Sequence, residues 1–250
     1  MMKHSSALLE NYKRIPVDFV KGSGVYLWDK RENKYIDFVS GLAVMNLGYT
    51  HPQIIKTLSA QSYHLMHTSN LYDNSLQEKL AQSLCAAMSL DGAFFCNSGT
   101  EAVEAALKFV RHASIEKYGN DKRTDVIAFK NSFHGRTLGS LSTTGQKVYQ
   151  KGFGPLVGGV KFATFNDLTS VKKCLSSHTA AVIIEPIQGE GGYYFAEREF
   201  LQALLRLCKE KGIFLICDEV QSGMGRCGHL LAAHHYKIKP DVVVLAKGLG

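Results

Sequence analysis

The sequence predicts an α/β fold, a mostly parallel sheet flanked by helices, and three observations carry that prediction. Short apolar runs such as Val126–Phe129, Ala180–Ile184 and Ile213–Cys217 lack polar alternation, as strands buried on both faces require. Segments with apolar residues at helical spacing separate these runs, and alternation of strand and helix argues for crossover units that cover both sides of a sheet. Polar, chemically capable side chains follow directly on the runs, where ligands sit in open parallel sheets.

Taken in order, residues 16–40 read as a β-rich opening segment. Val25–Trp28 and Lys34–Phe38 form two strands there, joined by the turn Asp29–Asn33, with Asn33 suited to positive φ. Helical spacing follows over 53–66 and 75–88. Ala93–Cys96 reads as a buried strand, and Glu101–His112 as a helix whose stripe is Ala102, Ala105, Ala106 and Phe109. Strands at 126–129, 160–163 and 180–184, a helix at about 197–211, and strands at 213–217 and 242–245 complete the set. Residues 1–50 are assigned to an amino-terminal segment with a β-hairpin, and 51–250 to a large α/β domain.

A chain of 250 residues with 45% hydrophobic content supports a sizeable core. Its formal charge of +7 is scattered rather than clustered, which suits anionic small molecules better than nucleic acid. Residues 1–12 lack a signal-peptide core and no apolar run reaches the length of a membrane span, so a cytoplasmic protein is expected. The six cysteines show no metal spacing and are expected to be reduced thiols, with Cys96 and Cys217 acting as small core residues. The ten histidines include no HExxH arrangement, so no metal site is expected.

Three groups define the chemistry. Lys247 follows a buried strand, where desolvation favours the neutral, nucleophilic amine. Such a lysine more often caps a strand or pairs with a carboxylate. Asp218 ends another buried strand, and an ion pair between the two strand ends is the simpler account of both. The turn Asn97-Ser98-Gly99-Thr100 opens a helix, and Ser98 with Glu101 fits a capping box. Its free amides also suit a phosphate, which Gly99 lets approach closely. An amine for an aldehyde, a carboxylate for a ring nitrogen and a phosphate cradle are together what pyridoxal 5'-phosphate (PLP) requires. Arg136 offers a bidentate fork for a carboxylate. Gly223–Gly228 matches GxGxxG, but Asp218–Ser222 separates it from its strand and no acid closes the next strand, which argues against a dinucleotide site.

The segments Phe94–Lys108, Ser132–Leu138, Glu185–Gly192, Asp218–Gln221 and Leu245–Gly248 resemble class III PLP-dependent aminotransferases over essentially the whole chain. Gly145–Leu156 with Phe165–Asp167 is similar to the acetylornithine branch. The resemblance implies the aspartate aminotransferase-like fold, fold type I. It implies that Ser98, Gly99 and Thr100 bind the cofactor phosphate, that Phe133 and Val220 cover the two ring faces, and that Asp218 meets the ring nitrogen. Gln221 would reach the phenolic oxygen and Lys247 would hold the aldehyde; Lys247 and Asp218 are the catalytic pair. Arg136, with Tyr12 beside it, would bind substrate carboxylate, and Glu190 would be a switch acid.

The implied reaction moves the terminal amine of N-acetylornithine to 2-oxoglutarate, giving N-acetylglutamate 5-semialdehyde and glutamate in arginine biosynthesis. Leu42, where ornithine enzymes carry tyrosine, favours the acylated donor. Ornithine, succinylornithine, succinyldiaminopimelate and 4-aminobutyrate stay open as donors. The family implies a homodimer with its active site at the interface. Its members continue well past the lysine, so the resemblance also implies a chain lacking the carboxyl-terminal part, and an inactive fragment is the expectation for this piece alone.

Overall fold

The structure is a computed structural model describing residues 7–119 and 122–249. The start of the segment read for a signal peptide, residues 1–6, and the closing Gly250 lie outside the described residues. The chain divides into two compact units, the first ending at His67 and the second beginning at Thr68.

The first unit holds an antiparallel sheet of Phe19–Ser23 (β1), Tyr26–Asp29 (β2) and Lys34–Ile36 (β3), in the order β1-β2-β3. Asp29 builds the second turn: its carboxylate accepts from the Arg31 and Asn33 amides at 2.8 and 2.9 Å. Positive φ in that turn falls on Glu32 rather than Asn33, because Asn33 spends its side chain on Asp29 at 3.0 Å. A single turn at Ser40–Ala43 (α1), with Gly41 and Leu42 left-handed, precedes the helix Pro52–Ser62 (α2), which opens on proline as helices favour.

The second unit begins with Ser75–Met88 (α3), capped by Asn74, and Gly99–Tyr118 (α4), which Gly119 ends in the left-handed conformation. Asp125–Phe129 (β4), Leu138–Thr143 (α5), Lys147–Gln150 (α6), Val160–Ala163 (β5) and Leu168–Cys174 (α7) follow. Then come Thr179–Ile184 (β6), the small ribbon Ile187–Gln188 (β7) with Tyr194–Phe195 (β8), Arg198–Lys211 (α8) and Phe214–Asp218 (β9). Ala232–His235 (α9), Val242–Val244 (β10) and a 3₁₀ turn at Lys247–Leu249 close it.

The main sheet runs β10-β9-β6-β4-β5, with every neighbouring pair parallel. Its two faces are packed separately. Ile127, Phe129, Val182, Ile184, Leu215 and Cys217 meet Leu201, Leu204 and Cys208 of α8 on one side. Val126, Ala128, Ala181, Ile183, Ile216 and Val244 meet Val103, Ala106, Leu107 and Val110 of α4 on the other. Alternate residues of one strand thus enter opposite cores, which is why these runs are apolar throughout.

Three expectations are corrected. Ala93–Cys96 is irregular and largely exposed, with Phe94 77% accessible, because no described strand pairs with it and an apolar run forms a strand only on a ladder. Cys96 is therefore exposed rather than a core residue, whereas Cys208 and Cys217 are buried; all six cysteines are free thiols. Helix α4 runs from Gly99 to Tyr118 and buries Val103, Ala106, Leu107, Val110 and Ser114; Phe109 faces outward at 58% exposure. The helix turns its branched residues to the sheet, one position away from the alanine-based stripe.

Candidate active site

The sheet's chain order reverses at β4: the next strand, β5, lies on one side of it, and β6, β9 and β10 are laid down on the other. Ligands in such sheets collect beyond the carboxyl ends of the strands near that reversal. Phe133 and Arg136 follow β4, Glu185 follows β6, Asp218 ends β9 and Lys247 follows β10. Register places Val244 beside Asp218, so Lys247 stands three residues beyond the strand adjacent to that aspartate.

Asp218 is only 4% exposed, and both its oxygens are engaged. Oδ2 lies 2.7 Å from His134 Nδ1, and Oδ1 accepts from the Val220 amide at 3.1 Å. His134 is itself buried, and its Nε2 has no partner among the described residues. That leaves Nδ1 as the nitrogen suited to carry the proton, since a buried unpaired N–H costs more than an unpaired acceptor. Next to them, Glu185 accepts from the Phe133 amide at 3.0 Å. Burial, reinforced by the neighbouring Asp218, holds its carboxyl well above the usual range. Glu219 points elsewhere: it accepts from Ser222 Oγ and from the Ala232 and Ala233 amides at 2.5, 3.0 and 2.7 Å, satisfying the first turn of α9.

Lys247 has a left-handed backbone and donates from Nζ to Gln221 Oε1. Desolvation of the amine lowers its pKa, against the opposing pull of Glu190, Asp218 and Glu185. No direct ion pair joins it to Asp218 among the described residues, although the two charges act on one another. Each has a different hydrogen-bond partner: His134 and Val220 for Asp218, Gln221 for Lys247.

The opening of α4 is the candidate anion site. Ser98 caps the helix, its Oγ accepting from the Glu101 amide at 3.3 Å and donating to the Glu101 carboxylate at 2.9 Å. Gly99 lies against Val220 and Ala246, where a Cβ would come within 3.1 to 3.2 Å of their side chains. Thr100 turns its hydroxyl inward, to the Arg136 and Thr137 amides at 3.2 Å each. The exposed Arg136 guanidinium sits over the rings of Tyr149 and Phe153, at 5.0 and 5.9 Å, and Phe133 meets Tyr149 edge-on at 5.3 Å.

The structure thus assembles Ser98, Gly99, Thr100, Phe133, Arg136, Asp218, Val220, Gln221 and Lys247 within the second unit, with Glu190 exposed but electrostatically coupled to Lys247. Tyr12 is 72% exposed in the first unit. Residue patterns had not singled out His134, Glu185, Glu104 or Tyr149. All four stand inside motifs already noted, but their roles depend on contacts with other elements. Among the described residues no cluster of histidine, cysteine or carboxylate side chains is arranged to hold a metal ion, and no helix is long and apolar enough to cross a membrane.

The arrangement can hold an anion at α4, present a buried carboxylate to a basic nitrogen, and offer an amine of lowered pKa. Comparison with known proteins identifies the family. The family model for class-III aminotransferases matches residues 8–250. Acetylornithine aminotransferase of Aquifex aeolicus (strain VF5) is 51% identical over 247 residues, covering 97% of this chain and 64% of the relative. That of Clostridium acetobutylicum is 50% identical over 245 residues, covering 98% and 63%. Among solved structures, ornithine aminotransferase from Toxoplasma gondii ME49 superposes with a TM-score of 0.92 at 32% identity, covering 96% of this chain and 57% of that one. N-acetylornithine aminotransferase from Stenotrophomonas maltophilia K279a gives 0.82 at 34%, covering 95% and 60%. The chain spans less than two thirds of the length of these relatives.

Proposed function

The chain belongs to the class-III aminotransferase family, and from that premise we propose that its protein is a PLP-dependent acetylornithine aminotransferase. The reaction moves the terminal amine of N-acetylornithine to 2-oxoglutarate, yielding N-acetylglutamate 5-semialdehyde and glutamate for arginine biosynthesis. The protein works in the cytoplasm as a homodimer, in line with its relatives' biosynthetic role. Residues 1–50 form part of a small domain and 51–250 the large cofactor-binding domain. The observation that carries the reading is the convergence of Asp218 and an amine of lowered pKa on adjacent strand ends, within one unit that also holds the α4 cradle.

The residues fit PLP. Gly99 lets the start of α4, where a phosphate would sit, approach Val220 and Ala246, which a side chain there would crowd. Asp218 is fixed by His134 and Val220, so its carboxylate needs no reorganisation to meet a protonated ring nitrogen. When bound, PLP supplies an electron-accepting ring that weakens the C–H bond beside the substrate amine. The chain's own groups do the rest. Ser98, Gly99 and Thr100 would hold the phosphate, Phe133 and Val220 would flank the ring, and Gln221, which accepts from Lys247 Nζ, would reach the phenolic oxygen. Lys247, whose amine pKa is lowered by desolvation, would be the residue that holds the aldehyde, and its Nζ would be the group placed to move a proton. Arg136 grips a substrate carboxylate, Tyr12 is a second candidate for that role, and Glu190 adjusts the site between the two amino donors.

The test is to mix the purified chain with PLP, reduce with borohydride and map the pyridoxyl group by peptide mass. Label confined to Lys247 is the expected result; label scattered over surface lysines would sink the assignment. Comparing N-acetylornithine, ornithine and 4-aminobutyrate at fixed 2-oxoglutarate then identifies the donor.

A further inference from the structure

Glu104 lies in the second turn of α4 and has been given no chemical role above. Its Oε1 nonetheless receives three hydrogen bonds from the segment after Arg136: from Thr137 Oγ1 at 2.6 Å, the Gly139 amide at 2.7 Å and the Ser140 amide at 3.0 Å. Those amides belong to the first turn of α5, whose N-cap residue Thr137 makes no side-chain cap of its own. A helix of six residues does not hold itself in water, and its leading N–H groups need acceptors. The carboxylate on α4 supplies one, in the orientation the helix dipole favours.

A turn earlier, Thr100 Oγ1 accepts from the Arg136 and Thr137 amides and contacts Ser140 Oγ at 2.7 Å. Gly135, at φ +126°, makes that approach possible, since a Cβ there would overlap Thr100 Oγ1. Gly139 does the same for Glu104, as a Cβ would overlap its carboxylate. The backbone on both sides of Arg136 is thereby pinned to the first two turns of the helix whose opening forms the anion cradle.

We propose that Glu104 is a positioning residue: it fixes Arg136 relative to the Ser98–Thr100 cradle, so that substrate carboxylate and cofactor phosphate are held at a set spacing. This rests on the reading of Arg136 as the carboxylate-binding residue. Arg136's own side chain is exposed and lies on aromatic rings. Its backbone anchor therefore decides where the guanidinium can reach.

Glutarate, a dicarboxylate that cannot react, titrated into the PLP-loaded protein and followed by cofactor absorbance, reads the spacing without turnover. Glu104→Ala should weaken glutarate on the order of 10-fold, as small displacements of a positioned group do, while PLP retention on dialysis is unchanged. Glu104→Gln keeps an acceptor at the Oε1 position and should restore most of the affinity. Gly139→Ala displaces the carboxylate without removing it and should behave like Glu104→Ala; it carries the test where the alanine variant does not fold. A lowered melting point with glutarate affinity intact in these variants would make Glu104 purely structural and overturn the proposal. Arg136→Ala is the control. If it loses no glutarate affinity, the reading of Arg136 fails and this proposal fails with it; if it alone loses affinity, only the role of Glu104 is overturned.

Discussion

At the scale of single residues, burial decides what each polar group does. Asp218 has one oxygen on His134 and the other on Val220. A buried acceptor stripped of a donor retains its full desolvation cost, so His134→Leu should destabilise the protein by about 1–3 kcal/mol. A lower urea midpoint at unchanged slope would show it. Glu185 predicts a pH response of definite sign. Its folded pKa lies well above the ordinary 4.5, so the folded protein holds a proton that the unfolded chain has released between the two values. The stability it contributes is full below 4.5 and declines as pH rises through the folded pKa. Glu185→Gln retains an acceptor for the Phe133 amide and should flatten the fall in thermal midpoint that begins above pH 4.5. Lys247 gives the opposite slope in a higher window. Its folded pKa is depressed, so stability rises with pH from that value up to the ordinary 10.5.

At the scale of elements, α4 does two jobs. Its inner stripe packs on the sheet, and its first turn is the proposed phosphate site, so its N-cap matters to fold and proposed site alike. Ser98→Ala should cost about 1 kcal/mol by removing that cap, measurable by chemical denaturation. Sequence located α4 through the capping box and the alanine-rich run but misplaced its buried face. Ala102, Ala105, Ala106 and Phe109 and the observed Val103, Ala106, Leu107 and Val110 are both helical stripes, one residue apart. Periodicity fixes the angle between residues, not the direction in which the helix faces. Ala93–Cys96 failed for a related reason: apolar, β-branched or aromatic character makes a strand possible, and only a partner ladder makes it one. Helix α5 shows the reverse case. Little in Leu138–Thr143 announces a helix, and its acceptor comes from Glu104 on another element.

At the scale of the whole molecule, the second unit is organised by β6, with β9 on one side and β4 on the other and all six residues buried. Hydrogen exchange should therefore be slowest in β6 and faster in the edge strands β5 and β10. The core on the α8 side is closed by Leu204, fully buried against the sheet. Leu204→Ala should cost about 2–5 kcal/mol, read as a drop in denaturation midpoint. A much smaller loss would mean that the α8 side of the core collapses onto the cavity.

The sequence by itself determined the parallel sheet, the strand ends that carry chemistry, and the residue types that suit an anion, a carboxylate and an aldehyde. These follow from local pattern, because a strand buried on both faces must be apolar along its length and a capped helix start must carry its own cap. Only the tertiary structure decided which groups meet. His134 and Asp218 are 84 residues apart and 2.7 Å from each other; Gln221 and Lys247 are separated by 26 residues and share a hydrogen bond. The order β10-β9-β6-β4-β5 makes these groups neighbours. That order comes from how the two faces are covered, a property of the packed molecule that no stretch of sequence contains.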